Sequence, residues 1–159
     1  MEKHKHIFRE NVIPEVPDLA IYIPNFITQE EEDEITKYVN NAPLPKWTQL
    51  THRRLQNWGG TPHPRGMIVE EIPSQHQLNL EFSFLLERRS LFILQGDLYH
   101  NYLHSIAERD TDVVSKSVIK NLSICGDKFS EAEILKRGTR LSLTIRHVPK
   151  TSKLKLRIG

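Results

Sequence analysis

A chain of 159 residues with 38% hydrophobic and 26% charged residues is one domain's worth, and the low apolar share predicts a modest core. The net charge of +2 permits contact with nucleic acid without arguing for it, and the single cysteine, Cys125, excludes an internal disulfide and a zinc site built of cysteines. No apolar run approaches the ~20 residues of a membrane span and the charged opening is no secretory signal, so the composition points to a soluble intracellular protein.

Residues 1–17 are polar, with Pro14 and Pro17 near their end. They read as a flexible lead-in to a single domain over 18–150, which a basic tail over 151–159 follows. Leu19-Ala-Ile-Tyr-Ile23 is a short strand stopped by Pro24, which has no N–H for a ladder. Thr28 and Glu31 form a capping box, and the acids at 30–34 suit the positive end of a helix dipole. Ile35, Tyr38 and Val39 supply an apolar stripe, and Asn40-Asn41 with Pro43 closes the helix. The acidic run also resembles a metal-binding cluster, but capping and solvation explain it better.

Residues 44–67 mix aromatic and basic groups: Trp47, His52, Arg53, Arg54, Trp58, His63 and Arg65. Gly59-Gly60 marks a turn flanked by two short strands. Two readings compete. In one, Trp47 and Trp58 are stacking platforms for a base while Arg53, Arg54 and Arg65 contact phosphate. In the other, the tryptophans cap the core and the arginines are a solvated rim.

The stretch 68–76 reads as loop. Leu78, Leu80, Phe82 and Phe84 then alternate with polar residues as a strand, and a second strand covers 91–94 after Arg88-Arg89-Ser90. Gln95-Gly96-Asp97 is a turn, and 99–106 carries His100 and His104. A helix over 99–106 would set that pair on one face. A histidine pair without function is the plainer reading. Residues 108–137 look like a polar insertion with a short helix at 131–136. The sequon Asn121-Leu-Ser123 is read as chance in an intracellular protein.

The stretch 138–148 alternates strictly. Leu141, Leu143 and Ile145 fall on one face and Arg140, Ser142, Thr144 and Arg146 on the other, the signature of a half-buried strand. At a rise of about 3.3 Å per residue, Arg140 and Arg146 stand roughly 20 Å apart on one face, where two guanidinium forks can close on the ends of a short diacid. Two solvent-facing arginines are the alternative.

The Arg-x5-Arg strand, His104 in Tyr-Leu-His-Ser-Ile, and the block Lys46-Trp-Thr-Gln-Leu…Leu55-Gln-Asn-Trp-Gly-Gly…Pro62-His-Pro-Arg-Gly-Met67 occur in an order that resembles the AlkB-like iron(II)/2-oxoglutarate-dependent dioxygenases. Within that family the block with two tryptophans resembles the sixth-homologue subgroup of animals. The resemblance runs over roughly 18–73 and 84–150. It implies a mainly β fold with a short N-terminal helix, built as a double-stranded β-helix, or jelly-roll. It also implies Fe(II) and 2-oxoglutarate as cofactors, alkylated RNA or DNA (or protein) as substrate, and a place in cytoplasm and nucleus. By the same resemblance His104 is a metal ligand and Arg140 and Arg146 bind 2-oxoglutarate. Trp47, Arg53, Arg54, Trp58 and Arg65 then belong to a substrate lid.

The family holds iron with two histidines and a carboxylate, two of the ligands coming as His-x-Asp. None of the eight histidines here, His4, His6, His52, His63, His76, His100, His104 and His147, is followed two residues on by Asp or Glu. The family would also have several more strands between Pro73 and about Leu80. The sequence therefore reads as both ends of the family joined across a missing centre, an incomplete jelly-roll with an impaired metal site and bared strand edges. Three outcomes follow: an oxygenase, a variant that binds nucleic acid or a partner without catalysis, and a truncated product without stable function.

Overall fold

The computed structural model describes residues 2–51, 53–56 and 82–145. The chain divides into two compact units, Met1–Ile35 with Pro73–Thr139, and Thr36–Ile72 with Arg140–Gly159.

The first unit is built on β1 (Leu19–Ile23), four of whose five residues are buried. It pairs antiparallel with β4 (Leu91–Gln95) from Leu19 opposite Gln95 to Ile23 opposite Leu91. Both are runs of apolar and β-branched residues long enough for one buried strand each, and both fall where the alternation predicts them. The amino-terminal residues, expected as a flexible lead-in, contain helix α1 (Glu2–Glu10) and then line the free edge of β1. Ile13 N–H donates to Ala20 O at 2.9 Å and Tyr22 N–H donates to Asn11 O at 3.0 Å. Ile13 is 1% exposed. An apolar side chain in a polar lead-in is held by the edge it covers, a tertiary effect that local composition does not carry.

Ile13, Ala20, Tyr22, Leu98 and Cys125 form the core, with Phe82, Phe84 and Phe92 packed on it. The Phe84 and Phe92 rings meet at 4.7 Å between centroids. The expected strand through Leu78–Phe84 falls partly outside the described residues; what is described makes one parallel bridge, Ser83 to Ile119. Gly96, with φ +57°, turns the chain from β4 into α3 (Asp97–His100). A Cβ there would stand 1.4 Å from Asp18 Oδ2, the atom that accepts the Asp97 N–H at 2.8 Å, so only glycine fits.

The expected insertion over 108–137 is part of this core. Val114, Asn121 and Cys125 are buried, the last two bounding the short helix α4 (Leu122–Cys125). Strand β5 (Thr111–Val113) pairs antiparallel with β6 (Ile134–Lys136). The helix expected at 131–136 is thus a turn and a strand. Six residues are too few to repay helix nucleation, and the ladder to β5 supplies the hydrogen bonds instead. Arg137 locks the pair, Nε and Nη2 reaching the Asp112 carboxylate at 2.5 and 2.7 Å. Asn121 is fully buried, which puts the sequon out of reach in the folded chain.

Helix α2 (Gln29–Asn40) starts in the first unit and ends in the second. The capping box forms as expected: Thr28 N–H donates to Glu31 Oε2 at 2.8 Å, and Glu31 N–H to Thr28 Oγ1 at 3.2 Å. Of the apolar stripe, Val39 is buried and Tyr38 is 67% exposed. In the second unit a 3-10 turn (Leu44–Lys46) leads into a hairpin, β2 (Trp47–Gln49) with β3 (Arg54–Gln56). The hairpin turns at 50–53, where Leu50 N–H donates to Arg53 O at 2.8 Å, ahead of Gly59-Gly60, which lies outside the described residues.

Among the described residues strands outnumber α-helices, six to four, in keeping with a β-rich chain. They form three separate two-stranded sheets, and no barrel closes among them. The strand expected over 138–148 does not form in its described part. Residues 138–145 have no regular structure, and Leu141, Leu143 and Ile145 are exposed. Alternation creates a strand only where a neighbour supplies the ladder and covers the apolar face, and the described residues offer 138–145 neither.

Candidate functional site

The hairpin of the second unit brings two of the expected substrate residues together. In the register Trp47 opposite Gln56 and Gln49 opposite Arg54, Trp47 and Arg54 are diagonal neighbours on one face. The Arg54 guanidinium carbon stands 4.0 Å from the centroid of the Trp47 ring, a cation over a π face. The Trp47 indole N–H donates to Ala42 O at 3.3 Å, and Arg54 Nη2 donates to Asn40 Oδ1 at 3.3 Å. Gln56 Nε2 donates to Val39 O at 2.8 Å, tying β3 to the end of α2. Alternation within Trp47–Gln49 and Arg54–Gln56 was the available signal for this pairing, once the turn is placed at 50–53. Trp47 is half-buried and Arg54 exposed, so the stack has a fixed inner ring and an outer face open to solvent. Arg53 is exposed one residue earlier. Trp58 and Arg65 lie outside the described residues.

His104 belongs to the first unit and Arg140 to the second, exposed and outside any strand, while Arg146 lies outside the described residues. Nε2 of His104 stands 2.6 Å from the Leu98 carbonyl oxygen. A carbonyl only accepts, so Nε2 is the donor in this hydrogen bond. Helix α3 ends at His100 with Asn101 as its C-cap, so His100 and His104 do not share a helical face. Asp97, three residues before His100, accepts from Asn101 Nδ2 at 2.9 Å. Among the described residues no three His, Cys, Asp or Glu side chains gather for a metal; His52, His63, His76 and His147 lie outside them.

A buried polar group that the sequence did not announce sits in the first unit. The Tyr22 hydroxyl donates to Glu87 Oε2 at 3.3 Å and accepts the Glu87 N–H at 3.0 Å. Glu87 Oε1 accepts from Lys128 Nζ at 3.0 Å. Burial pushes the Tyr22 hydroxyl up to about 12 and the Cys125 thiol up to about 12. A thiol held neutral in this way is no nucleophile at neutral pH, so Cys125 serves packing. Its only sequence signal is its place among apolar residues.

No protein-family model matches the chain. The chain is 32% identical to a Danio rerio protein named probable RNA/DNA demethylase ALKBH6, in an alignment over 221 positions that covers 93% of each chain. Those 221 positions exceed the 159 residues present here, so the relative carries positions without a counterpart in this chain.

Proposed function

This chain belongs to the AlkB-like family, and on that premise we propose that it is a shortened member that binds single-stranded RNA or DNA through the Trp47–Arg54 face and lacks a complete Fe(II) and 2-oxoglutarate centre. The observation that carries the first half is the guanidinium stacked 4.0 Å from the Trp47 centroid. An aromatic face backed by a fixed cation offers a base a stacking surface and its phosphate a counter-charge, with neither tied to one base sequence. The relative's name, which speaks of RNA and DNA, supports that class of ligand. Arg53, Trp58 and Arg65 extend the same lid in this reading.

Two observations support the second half. The sequence has no His-x-Asp or His-x-Glu. The alignment contains positions without a counterpart here, in keeping with a lost centre between Pro73 and about Leu80. The proposed fold for 18–150 is an incomplete jelly-roll, and the proposed location is cytoplasm and nucleus.

Two titrations test the reading. Labelled single-stranded RNA and DNA are titrated with the purified chain at several salt concentrations; we expect saturable binding that weakens as salt rises. Anaerobic addition of Fe(II) to the chain with 2-oxoglutarate is expected to give no metal-to-ligand charge-transfer band. A saturable band abolished by His104→Ala would sink the impaired-centre half. Absence of salt-sensitive binding would sink the other.

A further inference from the structure

The Trp47–Arg54 stack takes any base by its face, so a choice between bases has to come from a polar group at the base edge. The hairpin register names the side chains that share the stack's side. Trp47 stands opposite Gln56 and Gln49 opposite Arg54, and alternation sets these four on one side of the hairpin with Thr48 and Leu55 on the other. Gln49 is exposed and is the direct cross-strand neighbour of Arg54.

The Gln49 carboxamide is held in one orientation. Its Nε2 donates to Leu50 O at 2.7 Å and to Arg53 O at 3.4 Å. The same Arg53 oxygen closes the turn by accepting the Leu50 N–H at 2.8 Å. Turning the amide over would set Oε1 against two carbonyl oxygens, which only accept, so the flipped form is opposed. Both N–H bonds of the amide therefore serve the turn, and Oε1 accepts from no donor among the described residues.

A glutamine free to rotate can donate or accept and so meets any base. Held by the turn, this one only accepts. An acceptor at the edge of a stacked base favours a base that brings an N–H there and opposes one that brings a carbonyl oxygen. Cytosine presents its N4 amino group where uracil presents O4. We infer that Gln49 sets a base preference, selecting single-stranded segments whose bases carry an exocyclic amino group over those with a carbonyl in its place. The inference rests on the nucleic-acid reading of the Trp47–Arg54 face and adds selectivity to it.

Labelled oligocytidylate and oligouridylate of equal length, titrated with the full chain, test this. The two have the same ring size and the same phosphates, so the comparison bears on the base edge. Oligocytidylate should bind about fivefold tighter, within the range of one hydrogen bond. Gln49→Met keeps the length of the side chain without the acceptor, and should bring the two affinities together. Gln49→Lys puts a donor in its place, and should invert the preference toward oligouridylate. Equal affinity of the parent for both, in binding that weakens with salt, would overturn the inference and leave the nucleic-acid reading standing. Absence of salt-sensitive binding to either would overturn both. A cytosine preference that survives in Gln49→Met would assign the choice to another residue. Should the variants fail to fold, an oligomer of pyrimidin-2-one, cytosine without its amino group, decides on the unaltered chain. It should bind more weakly than oligocytidylate, and equal affinity would refute the role of the amino group.

Discussion

The Asn121 carboxamide faces the backbone of Leu85 as a neighbouring strand would: its Oδ1 accepts the Leu85 N–H at 2.8 Å and its Nδ2 donates to the Leu85 carbonyl at 2.7 Å. Asn121 is 0% exposed, and its Nδ2 also approaches Cys125 Sγ at 3.8 Å. One side chain thus pairs both backbone groups of a residue 36 positions away, and pins the 82–87 segment to the start of α4.

Asn121→Ala should lower stability by about 2–4 kcal/mol, because two backbone groups lose their partners at once and a buried void is left. Asn121→Asp should cost at least as much, since the carboxylate can accept from Leu85 N–H but repels its carbonyl and buries a charge. Urea unfolding followed by circular dichroism measures both. An alanine variant within 0.5 kcal/mol of the parent, about the scatter for surface substitutions, would show the pairing to be incidental.

Tyr22 and Cys125 set the alkaline limb of stability. Both hydroxyl and thiol are driven up to about 12 in the folded chain by burial, from ordinary values of 10.0 and 9.0. The folded state holds its protons where the unfolded state has released them, so the stability they contribute is complete below pH 9 and is lost as pH rises from there toward 12. Tyr22→Phe should flatten the fall above pH 10, at the expense of the hydrogen bond from Glu87 N–H. Denaturant midpoints collected from pH 8 to 11.5 test this, and parallel slopes for parent and variant would refute it. Cys125 should also resist a thiol reagent at neutral pH until denaturant opens the core.

Much of the first unit was legible because its signals are local. Thr28 and Glu31 need only each other to cap α2, and 19–23 and 91–94 have the length and apolar density of buried strands. The misreadings share one cause, the reliance of an element on a distant partner. Ile134–Lys136 is a strand because Thr111–Val113 lies beside it, and Ile13 is buried because β1 has an edge to cover. The opposite error occurs at 138–145, whose alternation is as regular as any in the chain but has no described partner. For the site, Trp47 and Arg54 were legible as residue types, and their stacking needed a turn at 50–53 rather than at Gly59-Gly60. His104 was legible as a histidine, but its commitment to Leu98 O depends on where α3 stops.

The Asp112–Arg137 fork governs an acid limb. Hydrogen bonding from Arg137 holds the Asp112 carboxyl below the usual carboxylate range, with the Arg137 and Arg109 charges acting in the same direction. A carboxyl depressed in the folded state contributes stability that is present above its unfolded pKa of about 3.9 and is lost as pH falls through the lower folded value. Asp112→Asn should therefore be less stable than the parent at pH 7 and converge with it in strong acid. The loss should be modest, because both side chains remain partly open to water. Thermal unfolding at pH 7, 5 and 3 checks it. A gap between parent and variant that does not close on acidification would assign the difference to packing.

Trp47 and Arg54 make separable contributions to nucleic-acid binding, and their variants should fail in different ways. Trp47→Ala removes the ring on which a base would stack and should weaken binding of single-stranded RNA about tenfold, within the range of one aromatic stack, while leaving the slope against log salt unchanged. Arg54→Ala removes a cation but keeps the ring; binding should weaken less at high salt than at low, and the slope should fall by about one phosphate contact. Arg54→Ala also takes the cation off one face of Trp47, so the tryptophan emission of the free protein should shift. Because Arg54 is also bonded to Asn40, Asn40→Ala serves as the control. It loosens the guanidinium without removing its charge, and should reduce affinity with the salt slope intact. If Trp47→Ala and Arg54→Ala both leave RNA affinity unchanged, the stack is a packing feature of the hairpin, and the nucleic-acid reading loses the observation that carries it.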